Sequence, residues 1–492
     1  MTTQTPEQER ALSMRHTVAS FGALWTIQGT LNLPSIAANP TVTTLADRFK
    51  GKPCVIVAPG PSLAKNIDLL PALKGRAVMC TYSRTLHKLA QHGVVPDTVT
   101  CLDPLDLLYH FEGYPTDQLE ALVLGMTSNP KHYALPHKRI FTFSGNNAIE
   151  QWIWGSMPDG EKAWLETSCS VATTTTSLAM LMGCDPIIYV GQDMALTGGK
   201  YWCEGTSDGD AHMVDPAALD ADEVTKQAVT KRVLELLKQF GVEVAGAALD
   251  HLDAEDTFRA DGCQIEGLGQ HARAVESTGQ AVLSRVGRVA KVPGYHGGDV
   301  GTTPSFSWVR EWLGKRAEAN PGRFINCTEG GAYLDGMEHM TLAEAIAEHI
   351  PDESIDIPGI MDAARESADI DDQRKRLLGV AETTRTTLRN ADKTARKLLA
   401  ALDAKPATPR QLLRLAKLER WLTRTMEPAR AYHSMMQQAQ LFQIDDAAKA
   451  AETIEAALDC TRGVAQTVQR AWEWADAPLG YAAERMRADG DP

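Results

Sequence analysis

No two cysteines stand in C-x-x-C spacing in these 492 residues, and no cysteine–histidine cluster has the spacing of a zinc site. The nine cysteines, at 54, 80, 101, 169, 184, 203, 263, 327 and 460, are scattered and odd in number. A disulfide scaffold is thereby excluded, free thiols in a reducing compartment are expected, and no metal site is expected. No apolar run approaches the roughly 18 residues that span a bilayer, and Met1 to His16 lacks the apolar core of a secretory leader. Membrane insertion and export are not expected; a cytoplasmic location is. Positive charge is in deficit, since 49 Lys and Arg against 63 Asp and Glu give a net charge of −14. Such a chain is repelled by phosphate backbones, so no nucleic-acid partner is expected. Neither G-x-G-x-x-G nor a P-loop occurs, and no internal repeat or low-complexity tract stands out.

What remains is ordinary globular composition, with 43% hydrophobic and 23% charged residues, on a chain long enough for about three domains at roughly 150 residues each. After an N-terminal helical lead-in over residues 1–50, short apolar runs alternate with helix-like stretches. Strands are expected at 55–58, 77–80, 98–102, 121–124, 139–143 and 187–190, with helices at 85–92 and 171–182. This alternation predicts a parallel sheet with crossover helices, an α/β Rossmann-like domain over residues 51–350 with helices on both faces. Residues 194–221, rich in Gly, Asp and Ser, are expected to form a mobile lid. An amphipathic helix is expected at 223–240, an aromatic helix at 305–316, a strand at 323–326 and a helix at 342–349. A linker bracketed by Pro351 and Pro358 should lead into an all-α helical bundle over residues 360–492, with helices near 371–402, 408–441 and 445–476.

Three segments have the composition of ligand-binding strand or helix ends. Val55-Ile56-Val57-Ala58-Pro59-Gly60-Pro61-Ser62 is a buried strand entering a turn, where Gly60 permits close backbone approach, Ser62 offers a hydroxyl, and following N–H groups suit a phosphate. A tight turn with no ligand explains it equally well. Asp103 lies just past another strand, where a carboxylate accepts from a hydroxyl, or where Asp103-Pro104 simply starts a turn. Ser170 opens the helix leading to Gly191-Gln192-Asp193, and it either helps hold an anion or acts as an ordinary N-cap. All three belong to one edge of one sheet, which favours a nucleotide-type ligand. The expected lid adds Tyr201, Trp202, Asp208, Asp210 and His212, of which His212 is the candidate general base.

Taken together, V-I-V-A-P-G-P-S-L, H-G-V-V-P-D-T-V-T-C-L-D-P, S-V-A-T-T-T-T-S-L-A-M-L-M-G-C-D-P-I-I-Y-V-G-Q-D, the Tyr295-His296-Gly297-Gly298 segment and Thr328-Glu329-Gly330-Gly331-Ala332 resemble the motility accessory factor family of flagellin glycosyltransferases, over about residues 15–350. The same elements resemble CMP-sugar-using bacterial sialyltransferases and 6-hydroxymethyl-dihydropterin pyrophosphokinases. The resemblance implies a sialyltransferase-like fold that moves a nonulosonic acid from a CMP donor to Ser or Thr of flagellin or another acceptor protein, with no cofactor required. It also implies that Gly60, Pro61 and Ser62 cradle the donor, that Thr81 lies near the nucleoside, and that Asp103, Ser170, Gly191 and Asp193 line the rest. His296 and Glu329 compete with His212 for the role of base. Where relatives commonly place a histidine soon after G-Q-D, this chain has Gly199-Lys200-Tyr201-Trp202-Cys203, and the further N-terminal domain of many relatives has no counterpart in the 492 residues. An ATP-dependent pterin pyrophosphokinase and a catalytically inactive nucleotide-binding relative are the alternatives.

Overall fold

The computed structural model describes residues 31–145, 163–167, 170–207 and 290–377, together with Trp25, Gln28, Gly29, Asn147, Glu150, Gln151, Trp154 and Gly379. The helix expected at 223–240, the part beyond 377 of the three expected C-terminal helices, and Asp208, Asp210 and His212 lie outside the described residues.

In chain order the first half contains helix α1 (Leu33–Ala38), strand β1 (Cys54–Val57), helix α2 (Leu63–Asn66), strand β2 (Val78–Tyr82), helix α3 (Leu86–Gln91), strands β3 (Thr98–Cys101) and β4 (Ala121–Gly125), helix α4 (Pro130–Tyr133) and strand β5 (Ile140–Phe143). Then follow helix α5 (Val171–Leu181), strand β6 (Ile187–Val190), strands β7 (Ala290–Pro293) and β8 (Asp299–Thr302), helix α6 (Pro304–Ala319), strands β9 (Phe324–Asn326) and β10 (Glu338–His339), and helices α7 (Leu342–His349) and α8 (Ile357–Glu366). Eight strands form one parallel sheet in the order β10-β9-β6-β1-β2-β3-β4-β5, and β7 and β8 form a separate antiparallel hairpin.

Every residue of β1 through β6 is buried. A parallel sheet covered on both faces needs apolar side chains at every position, which is why these strands read as continuous hydrophobic runs. On one face Ile56, Cys80, Val123, Phe141 and Tyr189 pack against α5, α6 and α8 through Leu178, Leu313 and Met361. On the other, Val55, Val57, Met79 and Ile188 pack under Leu63, Leu89 and Leu342 of α2, α3 and α7. Over β3 to β5 this second layer is completed by Ile36 of α1 with Phe111, Tyr133 and Trp154.

Helix α5 carries four threonines in a row, poor helix formers, and all four are fully buried. Their hydroxyls turn back on the helix: Thr175 and Thr176 Oγ1 donate to the carbonyls of Val171 and Ala172 at 3.0 and 2.8 Å. Burying four hydroxyls is tolerated because the helix itself accepts from them.

Two expectations change. The stretch read as a linker gives way to α8 at Ile357, where Asp356 caps the Gly359 amide and Pro358 stands in the first turn. Met361 and Ala364 are fully buried in the main core, Asp362 pairs with Arg139 at 2.6 Å, and Gln373 Nε2 donates to the carbonyls of Ile36 and Asn39 at 2.7 and 2.8 Å. Residue 360 therefore falls inside a helix of the α/β unit. The N-terminal lead-in is also more than an appendage, since Val42, Leu45 and Phe49 belong to the same core.

Candidate functional site

The sheet reverses direction of growth at β1: the chain builds β2 to β5 on one side and then returns to place β6 and β9 on the other. Where strand order reverses, the loops beyond the carboxyl ends part and leave a crevice suited to ligands. Gly60-Pro61-Ser62 follows β1 there, and Gly191-Gln192-Asp193 follows β6.

The two turns interlock. The Gly60 amide donates to the Gly191 carbonyl at 2.9 Å. A Cβ on Gly60 would stand 2.1 Å from Asp193 Oδ1 and 2.3 Å from the Gly191 carbonyl oxygen, and a Cβ on Gly191, whose φ is +70°, would stand 2.3 Å from the Ala58 oxygen. Asp193, 2% exposed, accepts from Ser62 Oγ at 2.5 Å, from the Ser62 amide at 3.2 Å and from Thr197 Oγ1 at 2.8 Å. Burial pushes the pKa of this carboxyl up, while the hydrogen bonds from Ser62 and Thr197 and the charge of Lys65 oppose the shift. The turn after β9 closes on the same point. The Ala332 amide donates to the Asp193 carbonyl at 2.7 Å, the Gln192 amide to Thr328 Oγ1 at 3.1 Å, and Gly331, at φ +71°, passes so close that a Cβ would meet the Asp193 oxygen at 2.2 Å. The Tyr295 amide in turn donates to the Gly331 carbonyl at 2.9 Å.

This packing corrects two expectations. The amides of Gly60, Ser62 and Leu63 are not free to cradle a phosphate: the first two are held by Gly191 and Asp193, and the third by Gly60 at 3.0 Å. Pro59 and Pro61 have none to give. Gly60 is glycine because protein atoms, not a ligand, fill the space where a side chain would stand.

The other expected residues fall along the same edge with their groups variously engaged. Thr81 is fully buried and its hydroxyl donates to the Val57 carbonyl at 2.6 Å, inside the sheet and not toward the crevice. Ser170 is an N-cap, its Oγ accepting from the Ala172 amide at 3.2 Å. Glu329 sits at φ +55°; its carboxylate accepts from the Leu342 amide at the start of α7 at 2.9 Å, where the helix dipole favours negative charge. Its carbonyl accepts from Lys65 Nζ at 2.7 Å and is 3.0 Å from His296 Nε2. Asp103 is half-buried; Oδ1 accepts from the Leu105 amide at 2.9 Å, and burial raises its pKa against the pull of that bond and of Arg84. Its second oxygen has no hydrogen bond among the described residues.

Residues 194–207 of the expected lid are packed. Ala195, Leu196, Tyr201 and Cys203 are buried, and the amides of Leu196 and Cys203 donate to the carbonyls of Gly301 and Pro59 at 2.8 and 2.7 Å. The glycines of this stretch supply positive φ at turns. Trp202 lies under the Arg84 guanidinium, 4.8 Å from ring centroid to Cζ, and both Tyr201 and Trp202 contact Phe306 at 5.9 Å between centroids.

Sequence reasoning passed over Arg84, Ser83 and Glu150. Ser83 and Arg84 directly follow β2, and that position is the signal that was available for them; Ser83 Oγ is hydrogen-bonded to His110 Nδ1 at 2.9 Å. Glu150 lies in a segment with no legible period. It is 3% exposed, accepts from Thr127 Oγ1 at 3.0 Å, and burial raises its pKa to about 7. Among the described residues no group of His, Cys, Asp and Glu could hold a metal ion, and no helix is long and apolar enough to cross a membrane.

Residues 28–199 match the family described as MptE-like: 6-hydroxymethylpterin diphosphokinase MptE-like. Among solved structures, the MAf glycosyltransferase from Magnetospirillum magneticum AMB-1 superposes with a TM-score of 0.54 at 13% identity, covering 94% of this chain and 63% of that one. The chain thus spans somewhat under two thirds of that protein's length, and at this identity the likeness establishes the fold. No curated protein matches the chain by sequence. Both matches fall on proteins that the motifs resemble, the pterin diphosphokinases by sequence and a motility accessory factor glycosyltransferase by fold.

Proposed function

We propose that the chain is a glycosyltransferase that moves a nonulosonic acid from a CMP donor to Ser or Thr hydroxyls of flagellin or another protein, in the cytoplasm and without a cofactor. One observation carries the reading: the G-P-S-L, G-Q-D, T-E-G-G and Y-H segments, far apart in sequence, meet in a single hydrogen-bonded knot around Asp193 at the reversal point of the sheet. In such a transfer the bond from the anomeric carbon to the CMP phosphate oxygen breaks and its electron pair leaves with CMP. The acceptor oxygen bonds to that carbon, and its proton passes to a base. The protein's tasks are then to balance charge on the departing phosphate and to hold the base. Asp193 is a positioning residue in this scheme, because all its described bonds tie turns together. His212 remains the proposed base, and Asp103, with one oxygen unengaged among the described residues and its pKa raised by burial, is the carboxylate best placed on the edge to share the acceptor side.

The test is calorimetric titration with CMP, with and without EDTA, followed by mass spectrometry of a flagellin incubated with enzyme and a CMP-nonulosonate. Binding of CMP in EDTA and a mass gain on the acceptor are expected; an acceptor that stays unmodified while CMP is not bound would refute the reading. The family match over 28–199 keeps a second reading in view, diphosphate transfer from ATP to a hydroxymethylpterin. Release of AMP from ATP, dependent on Mg²⁺ and pterin, would select it.

A further inference from the structure

The amides of Gly60, Ser62 and Leu63 after β1 are already engaged, so negative charge brought to this end of the sheet calls for side chains. Beside Pro61 lies a cavity of about 440 Å³, lined by Lys88 and Gln91 of α3 and by Lys200, Cys203 and Gly205 of the loop after β6. That volume is in the range of small-molecule sites, roughly 300–1,000 Å³.

Its charge contrasts with the chain's net charge of −14: two lysines line it, and Glu204 is the one carboxylate of the lining. Lys200 is partly neutralised by Glu204 at 3.4 Å. Lys88 has no ion pair or hydrogen bond with any described residue, yet its stem is held in place. A Cβ on Gly205 would touch Lys88 Cδ at 3.4 Å and Gln91 Oε1 at 2.9 Å, so both side chains rest on that glycine. The loop is fixed in turn by the bond from the Cys203 amide to the Pro59 carbonyl at 2.7 Å. Lys88 and Gln91, neither of whose side chains has a hydrogen bond or ion pair with a described residue, thus stand beside each other near the Gly60-Pro61-Ser62 turn.

We propose that this cavity binds the phosphate of a nucleotide, with Lys88 as its charge partner and Gln91 as a hydrogen-bond donor. The proposal deepens the reading above, since it places the donor phosphate on the α3 side of Pro61 and not over the turn amides.

Calorimetry with CMP, cytidine and ATP on wild-type protein, Lys88→Met and Glu204→Gln tests it. Lys88→Met should keep the wild-type melting temperature, because Lys88 has no hydrogen bond or ion pair with a described residue to lose, and should weaken CMP binding about tenfold, the worth of one charge-assisted hydrogen bond. Cytidine affinity should not change, and Glu204→Gln should strengthen CMP binding. CMP binding that is identical in wild type and Lys88→Met would overturn the cavity while leaving the donor reading intact. If ATP and not CMP binds in a Lys88-dependent way, the cavity stands and the donor reading falls. If neither nucleotide binds the wild-type protein, both are wrong.

Discussion

Gly60→Ala probes whether the knot around Asp193 is built as described. Gly60 does not need a left-handed φ, so the cost of a methyl there is steric alone. The added carbon would lie 2.1 Å from Asp193 Oδ1 and 2.3 Å from the Gly191 carbonyl oxygen. The second contact is with backbone that already accepts the Gly60 amide, on strands held by a parallel ladder between β1 and β6. Overpacking of a rigid site costs about 1–3 kcal/mol. If Asp193 swings away, its bonds from Ser62 and Thr197 are lost at about 1 kcal/mol each. The sum is about 3–5 kcal/mol, and with melting temperatures moving about 2–4 °C per kcal/mol in units of this size, a fall on the order of 10 °C follows. Removing the carboxylate as well, with Asp193→Ala, should not rescue the variant, because the Gly191 oxygen remains. Gly330→Ala is the milder comparison: its Cβ would meet Ser62 Cβ at 3.1 Å and nothing closer, so a loss of about 1 kcal/mol, at the low end of overpacking, is expected. Scanning calorimetry on the three variants reads these differences. A Gly60→Ala protein that melts within about 2 °C of wild type would refute the interlock.

The remaining predictions concern the base, the turn after β9, the domain boundary and pH. His212→Ala and Asp103→Asn should each lower turnover about 10²–10⁴-fold if they act on the acceptor proton. Asp103→Asn keeps the acceptor for the Leu105 amide, so its melting temperature should hold, and unchanged turnover in either variant removes that residue from the role. Glu329→Gln should retain both fold and turnover, because an amide oxygen still accepts from Leu342, whereas Glu329→Ala should lose about 1 kcal/mol in urea titration through the exposed end of α7. Full stability in the alanine variant would contradict that anchoring. Deleting residues 378–492 should leave a cooperative unfolding transition for the α/β unit, while deleting 357–492 should abolish it by stripping Ile357, Met361 and Ala364 from the core; equal stability of the two truncations would show that α8 contributes nothing. Glu150 has a folded pKa of about 7 against an ordinary 4.5, so the folded state holds this proton more tightly than the unfolded chain. Its ionisation therefore costs nothing below the ordinary value, destabilises increasingly as pH rises between the two, and levels off above about 7, with a slope of at most about 1.4 kcal/mol per pH unit. Glu150→Gln should flatten that part of the stability–pH curve measured by urea unfolding, and an unchanged curve would assign the slope elsewhere.

Elements with a continuous apolar run or a capped amphipathic stripe were legible in the sequence. Ile187–Val190 and Leu342–His349 lie where the apolar runs and caps place them, and β1 to β5 differ from expectation by a residue or two at their ends. The hairpin of β7 and β8 was not legible, because β7 is largely exposed and its residues carry no inside-outside alternation. Strand β10 is two residues long and carries no period at all. Helix α8 was hidden by the prolines and acidic residues before it, which resemble a linker until Asp356 is seen as a cap.

The site divides in the same way. Composition and order along the chain were enough to select the strand ends at Gly60, Asp103 and Gly191 to Asp193, because a buried parallel strand announces its own carboxyl end by a change from apolar to small polar residues. Which of those groups is free to meet a ligand was decided by tertiary structure alone. Ser62 and Asp193 are 131 positions apart, and no local pattern records that the hydroxyl of one is already taken by the carboxylate of the other. The same holds for Thr81 Oγ1, Glu329 and the amides of Gly60 and Ser62, whose partners come from a neighbouring strand, helix or turn. Hydrogen bonds saturate, so a donor's availability depends on what the fold brings beside it. Residue type and spacing determined where this protein could bind something, and the packing of three turns against one another determined which atoms remain to do it.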